Sequence, residues 1–181
     1  NNKGGFMLKD ELSKLDISRG VDKRELVSQI EQILRDHGFS IHEVEVNKPW
    51  GAYIRLSDMD ATGFTNEFFK YESVYTGLPI SPKILIVEPG RRLSWQYHHR
   101  RKECWEFITD GEYCRSDTDD LGSVQSAKAG DVIKLDREER HRLIGDPVNY
   151  TLVAEIWQHT DIKEPSDEDD IVRLEDDYMR S

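Results

Sequence analysis

Two spacings of apolar residues divide the chain. In "VDKRELVSQIEQILRDHGF", Leu26, Val27, Ile30, Ile33 and Leu34 recur every three or four positions, the spacing of one helical face. Asp22 stands where an N-cap belongs, with Glu25 three residues on, and Gly38 can close the far end. This predicts an amphipathic helix over residues 22–36. A shorter helix is expected around Lys9–Leu15, both packing on the main domain or on the second subunit of a homodimer. From Val44 onward the pattern changes. "VEVNKPWGAYIRL", "PKILIVEPG", "LSWQYHH", "CWEFITDGEY", "GDVIKL", "HRLIG" and "YTLVAEIWQ" are short, rich in β-branched and aromatic residues, and broken by Gly, Pro or Asp. Strands at such spacing, without helical crossovers between them, predict an all-β sandwich or small barrel and exclude a parallel α/β sheet. The expected division is a helical extension over 1–46 and a barrel with an acidic tail over 47–181.

Composition adds bounds. A chain of 181 residues, 36% hydrophobic and 34% charged, suits one soluble domain with a real core. No apolar run approaches the ~20 residues that span a bilayer. The start, "NNKGGFMLKDELSK", has no basic segment leading into an apolar one. A cytoplasmic protein with no membrane partner is therefore expected. Cys104 and Cys114 are too few for a disulfide framework or a cysteine-based zinc site. The formal charge of −11 argues against nucleic acid as a partner. That charge is uneven: eight of the fourteen residues from Glu164 to Asp177 are acidic, while "RR" at 91–92 and "RRK" at 100–102 are basic islands. Most of these charges read as solvated surface.

Candidate chemistry lies between the basic islands, in "GRRLSWQYHHRRKECWEF". Alternation along a strand turns Ser94, Gln96 and His98 one way and Trp95, Tyr97 and His99 the other. After a turn at Arg100–Lys102, Glu103, Trp105 and Phe107 share a face of the next strand. If Glu103 faces the same interior as His98, the hairpin presents Gln96, His98 and Glu103 to one point. His141, at the head of a later strand, is the natural fourth member. Two His, a Glu and a Gln suit a borderline divalent ion, Zn²⁺ first, with Mn²⁺, Fe²⁺, Co²⁺ or Ni²⁺ as alternatives. Gln96, a neutral amide, serves either as a ligand or as the partner of a metal-bound water.

The spacing carries a resemblance. Gly90, five residues, Gln96-x-His98, four residues and Glu103 resembles the first cupin motif, with Gln in place of the usual first His. Gly130, five residues, Asp136-x-Glu138-x-x-His141 has the spacing of the second, with Asp136 and Glu138 for its usual Pro and Gly and Gly145 for its final Asn. The resemblance implies a cupin double-stranded β-helix, a jelly-roll barrel. Within the cupins, "KPWGAY", "PKILIVEPGRRLSWQYHHRRKECWEF" and "EDDIVRLEDDYMR" resemble the C-terminal domain of type II mannose-6-phosphate isomerases. That family implies a metal-dependent enzyme of carbohydrate metabolism and polysaccharide biosynthesis, interconverting mannose 6-phosphate and fructose 6-phosphate. It implies Gln96, His98, Glu103 and His141 as metal ligands, and Lys83 and Arg173 as catalytic residues at or near the sugar phosphate. Two other readings remain open at this point: a non-catalytic cupin that binds sugar phosphates, and an iron-dependent cupin dioxygenase. The acid or base that would move the proton is not identified by the sequence.

Overall fold

The computed structural model describes residues 6–70, 72 and 77–180. Helix α1 spans Leu8–Ser13 and α2 spans Lys23–Asp36. The Asp22 carboxylate accepts from the Glu25 backbone N–H, as the sequence pattern demands of a cap. At the other end Phe39 N–H donates to the Leu34 carbonyl and Gly38 N–H to that of Arg35. That paired arrangement is a Schellman ending, and Gly38 supplies its left-handed residue at φ +88°. A 3-10 turn at Asp58–Asp60 leads into α3, Ala61–Glu67.

The strands are β1 (Ile41–Lys48), β2 (Gly51–Leu56), β3 (Ile80–Val87), β4 (Trp95–Tyr97), β5 (Arg101–Phe107), β6 (Gly111–Ser116), β7 (Gln125–Ala127), β8 (Val132–Leu135), β9 (Arg140–Gly145), β10 (Thr151–His159) and β11 (Val172–Glu175). They form a six-stranded sheet in the order β1-β2-β3-β10-β5-β8 and a five-stranded sheet in the order β11-β4-β9-β6-β7. Each recorded pairing is antiparallel. The fold is the cupin barrel that the alternation and motif spacing predict, with small helices at the N-terminal end. Strand β1 straddles the division expected at residue 46, because Ile41–Lys48 already pairs with β2.

Strict alternation in the six-stranded sheet gives it two apolar layers. Inward residues such as Tyr53, Leu85, Trp105, Phe107 and Val153 meet Tyr113 and Leu143 of the second sheet. Outward residues such as Ile54, Ile84, Ile86, Cys104, Leu152 and Ile156 meet Leu26, Val27, Ile30 and Leu34 of α2, together with α1 and α3. The glycines that head the two motifs, Gly90 and Gly130, both sit at positive φ, +72° and +95°. Glu138 replaces a third motif glycine and still adopts φ +65°. Its backbone N–H donates to the His98 carbonyl, tying the two motif turns together. Among the described residues no helix is long and apolar enough to cross a membrane.

Candidate functional site

Strand β4 delivers Gln96 and, just past its end, His98. The same strand pairs with β9 and β11, so that Gln96 lies directly opposite both His141 and Arg173. From the facing sheet, β5 contributes Glu103. The His98 and His141 Nε2 atoms lie 3.2 Å apart, and the Glu103 carboxylate oxygens lie 3.2 Å from the first and 3.4 Å from the second. All three side chains are buried.

The tautomers follow from the partners. His98 Nδ1 lies 2.7 Å from the Asp170 carbonyl and His141 Nδ1 lies 2.9 Å from the Glu139 carbonyl. A carbonyl oxygen only accepts, so each Nδ1 carries a proton, and a ring in its neutral form turns the Nε2 lone pair inward. Burial pushes the His98 pKa down, favouring that neutral ring. Burial alone would raise the Glu103 carboxyl, but the neighbouring His98 and His141 rings and the Arg101 guanidinium outweigh it and hold it well below the usual range. Of these three, Arg101 is the permanent cation. With both rings in that neutral form, two lone pairs and a carboxylate converge on one point. A tetrahedral ion with bonds of about 2.0–2.1 Å has ligand atoms about 3.3 Å apart, so the donor spacing here fits a metal. His98, Glu103 and His141 together could hold such an ion. Gln96 joins this group with its amide nitrogen 3.3 Å from His98 Nε2, while its oxygen accepts from the Ser94 hydroxyl. A half-turn of that amide exchanges the two atoms, so the oxygen can face the same point.

Arg101 lies elsewhere than in the expected turn. The spacing puts a turn at Arg100–Lys102, but β5 begins at Arg101, and alternation turns it inward with Glu103 and Trp105. Its Nε donates to Glu103 at 2.9 Å, Nη2 lies 3.2 Å from His98 Nε2, and Nη1 donates to the Ser166 hydroxyl at 2.9 Å. The guanidinium stacks 3.6 Å above the Trp157 ring. The acidic tail likewise reaches the site. Asp170 accepts from the backbone N–H groups of His99 and Arg100, and its carbonyl fixes His98. These bonds make residues 166–175 a strap across the barrel mouth, ending in β11.

Beside the three donors lies a cleft whose lining includes Lys48, Lys83, Arg101, Arg173 and Arg180 against Glu103, Glu155 and Glu168. Five cations against three carboxylates make it a positive pocket in a chain of net charge −11. Lys83 is buried on β3, its Nζ 4.5 Å from the Tyr53 ring centre and 4.0 Å from that of Trp157. Glu168 of the strap pairs with it at 2.5 Å. Burial raises the Glu168 carboxyl, and the contact with Lys83 more than reverses this, leaving it below its ordinary value. Glu155 behaves oppositely: burial, then the charge of Glu103, pushes it up to about 8. Sequence reasoning missed Glu155, though an acid inside the apolar run "YTLVAEIWQ" was a usable signal. Of the expected outward neighbours, His99 is exposed and lies 3.7 Å from Glu138. Cys104 faces the outer core, where burial pushes its thiol up to about 12.

Residues 63–176 match the family described as Mannose-6-phosphate isomerase C-terminal. The chain belongs to that family. A curated relative, the xanthan biosynthesis protein XanB of Xanthomonas campestris pv. campestris (strain B100), is 28% identical over 166 residues. The match covers 87% of this chain, and this chain spans 28% of that relative's length. Among solved structures, oxalate decarboxylase from Bacillus subtilis at pH 4.6 superposes with a TM-score of 0.51 at 10% identity, over 73% of this chain and 30% of that one. A Cupin 2 conserved barrel domain protein from Salinispora arenicola CNS-205 gives 0.45 at 18% identity, over 65% and 82%. At such identities the likeness concerns the fold alone.

Proposed function

We propose that this member of the mannose-6-phosphate isomerase C-terminal family is a metal-dependent sugar-phosphate isomerase of the mannose 6-phosphate/fructose 6-phosphate type. The observation that carries this is the convergence of two imidazole lone pairs and the Glu103 carboxylate, beside a pocket lined by five cations. His98, Glu103 and His141 would hold the ion, with Gln96 as the fourth ligand. When bound, a divalent ion, Zn²⁺ first by its donor set, polarises the sugar carbonyl and lowers the barrier to removing the proton beside it. Arg173, directly opposite Gln96 in the β4–β11 pair, would grip the phosphate through two guanidinium N–H groups. Lys83 would hold the carbonyl end of the sugar, supplying charge to the enediolate as it forms. Trp157, stacked with both Arg101 and Lys83, would keep these cations apart from bulk water.

The test measures metal content and fructose 6-phosphate turnover, in a coupled assay, on the same purified samples. Wild-type protein should hold about one divalent ion per chain and interconvert the two hexose phosphates. His141→Ala should lose most of the metal and lower kcat/KM by at least ~10²-fold, about 2.7 kcal/mol of transition-state binding. Metal-loaded wild-type protein that binds hexose phosphate without turnover would leave a binding cupin in its place. Metal retained in full by His141→Ala would show the ligand set to be wrong.

A further inference from the structure

We propose that Glu155 is the catalytic group that carries the proton between C1 and C2 of the sugar phosphate. This rests on the isomerase reading and supplies the acid–base group that reading lacks. Strand register gives its position. β10 lies between β3 and β5, so Glu155 is directly opposite Lys83 on one side and Trp105 on the other. The next inward pair along β10 and β5 is Trp157 opposite Glu103. Glu155 is therefore the diagonal neighbour of Glu103 and the lateral neighbour of Lys83. It lines the cleft together with Gln96, Glu103, Lys83 and Arg173.

Its holding partners point to the same role. The Trp105 indole N–H donates to one carboxyl oxygen and the Trp157 indole N–H to the other, both at 2.9 Å. A carboxylate has about four acceptor sites, so two donors fix its plane and leave lone pairs for a substrate proton. Neither indole can neutralise it. The other two carboxylates of the cleft are ion-paired, Glu103 with Arg101 and Glu168 with Lys83. Such pairing weakens a base, because the cation stabilises the unprotonated form. The charges facing Glu155 come from Lys83 on β3, Arg101 and Glu103 on β5, and Glu168 on the strap, all within the same lining.

In the forward direction Glu155 takes the proton from C2 of the aldose. The C2–H electron pair becomes the C1=C2 bond, and O1 takes the negative charge. The O2 proton passes to O1, the C2–O2 bond becomes the ketone, and Glu155 returns its proton to C1. C1 is reduced as C2 is oxidised, and no outside reductant or oxidant enters.

The experiment uses metal-loaded wild-type protein, Glu155→Gln, Glu155→Asp and Glu168→Gln. Each is assayed for kcat, for metal content, for the dissociation constant of sorbitol 6-phosphate, and for solvent deuterium in hexose phosphate recovered from D₂O. Wild-type turnover is read first: its absence overturns the isomerase reading and this inference together. With wild type active, Glu155→Gln should lose 10²–10⁴-fold in kcat, as removal of an acid–base group does. It should also stop washing in deuterium, while metal content stays equal and sorbitol 6-phosphate binding stays within about threefold. Glu155→Asp should recover part of the rate. A Glu155→Gln kcat within tenfold of wild type, with the loss and the vanished exchange appearing in Glu168→Gln, overturns the assignment and leaves the isomerase reading standing. Joint loss of metal, analogue binding and rate in Glu155→Gln also overturns it, because a structural role would then suffice.

Discussion

Along β5 the residues that turn outward, Cys104 and Glu106, meet the helical layer, while Arg101, Glu103 and Trp105 turn inward to the cleft. The same contrast runs along β10, where Leu152, Ala154 and Ile156 face the helices and Glu155 and Trp157 face the site. On the outer side the buried charge is Glu106, 2.7 Å from Lys9 of α1. On the inner side Lys83, His98, Arg101, Glu103, His141 and Glu155 are all buried together. Burying apolar area stabilises a fold, whereas burying charge costs free energy unless every charge finds a partner. One sheet thus has two unlike faces: the helix-covered face is almost wholly apolar, and the inner face adds to its apolar layer the polar groups whose burial opposes stability.

The largest effect that would sharpen this contrast is Ile30→Ala, which empties a fully buried position of α2 against the outer face. It should cost about 2–5 kcal/mol of unfolding free energy. Metal affinity and kcat of the folded fraction should be unchanged, and a parallel fall in metal affinity would break the separation. Next is the pH dependence of stability in metal-free protein. The folded state binds the Glu155 proton more tightly than the unfolded chain does, because its carboxyl is pushed up to about 8. Stability should therefore fall as pH rises from the ordinary carboxylate range toward about 8. Glu155→Gln cannot ionise and should escape that fall, melting higher than wild type at pH 8 and close to it at pH 4. A melting difference that ignores pH would contradict the account. The smallest effect is at Glu138, an L-residue held at φ +65°. Left-handed backbone costs roughly 1–2 kcal/mol, and glycine returns part of that as chain entropy. Glu138→Gly should gain about 0.5–1 kcal/mol, read as a higher urea midpoint at constant m-value.

The outer half of this comparison was legible in the sequence. Leu26, Val27, Ile30 and Leu34 give the helix its face, and Asp22 and Gly38 give it both ends. His98 and Glu103 were equally visible through the local geometry of one hairpin, and His141 through the spacing of the second cupin motif. Arg101 was not, since a turn drawn through Lys102 leaves it outside the strand whose alternation turns it inward with Glu103. Glu155 owes its neighbours to the insertion of β10 between β3 and β5, a pairing of segments far apart in sequence. Glu168 and Asp170 lay in an acidic run that composition cannot distinguish from solvated surface. The difference is made by the His99 and Arg100 N–H groups and by Lys83, which wait for them at the barrel mouth.

The position of β10 also orders events in time. β3 and β5 do not touch across their facing edges until residues 151–159 arrive to pair with both. The ring of His98 is not fixed until Asp170 has docked, 72 residues further along the chain. During synthesis the N-terminal helices and the β1–β2–β3 meander can assemble early, because their contacts are local. Two open, strongly apolar edges must meanwhile stay exposed, a state prone to mispairing with other chains. A nascent chain stalled before residue 151 would be a hazard, and one stalled before residue 170 would be a barrel whose His98 ring is still unheld.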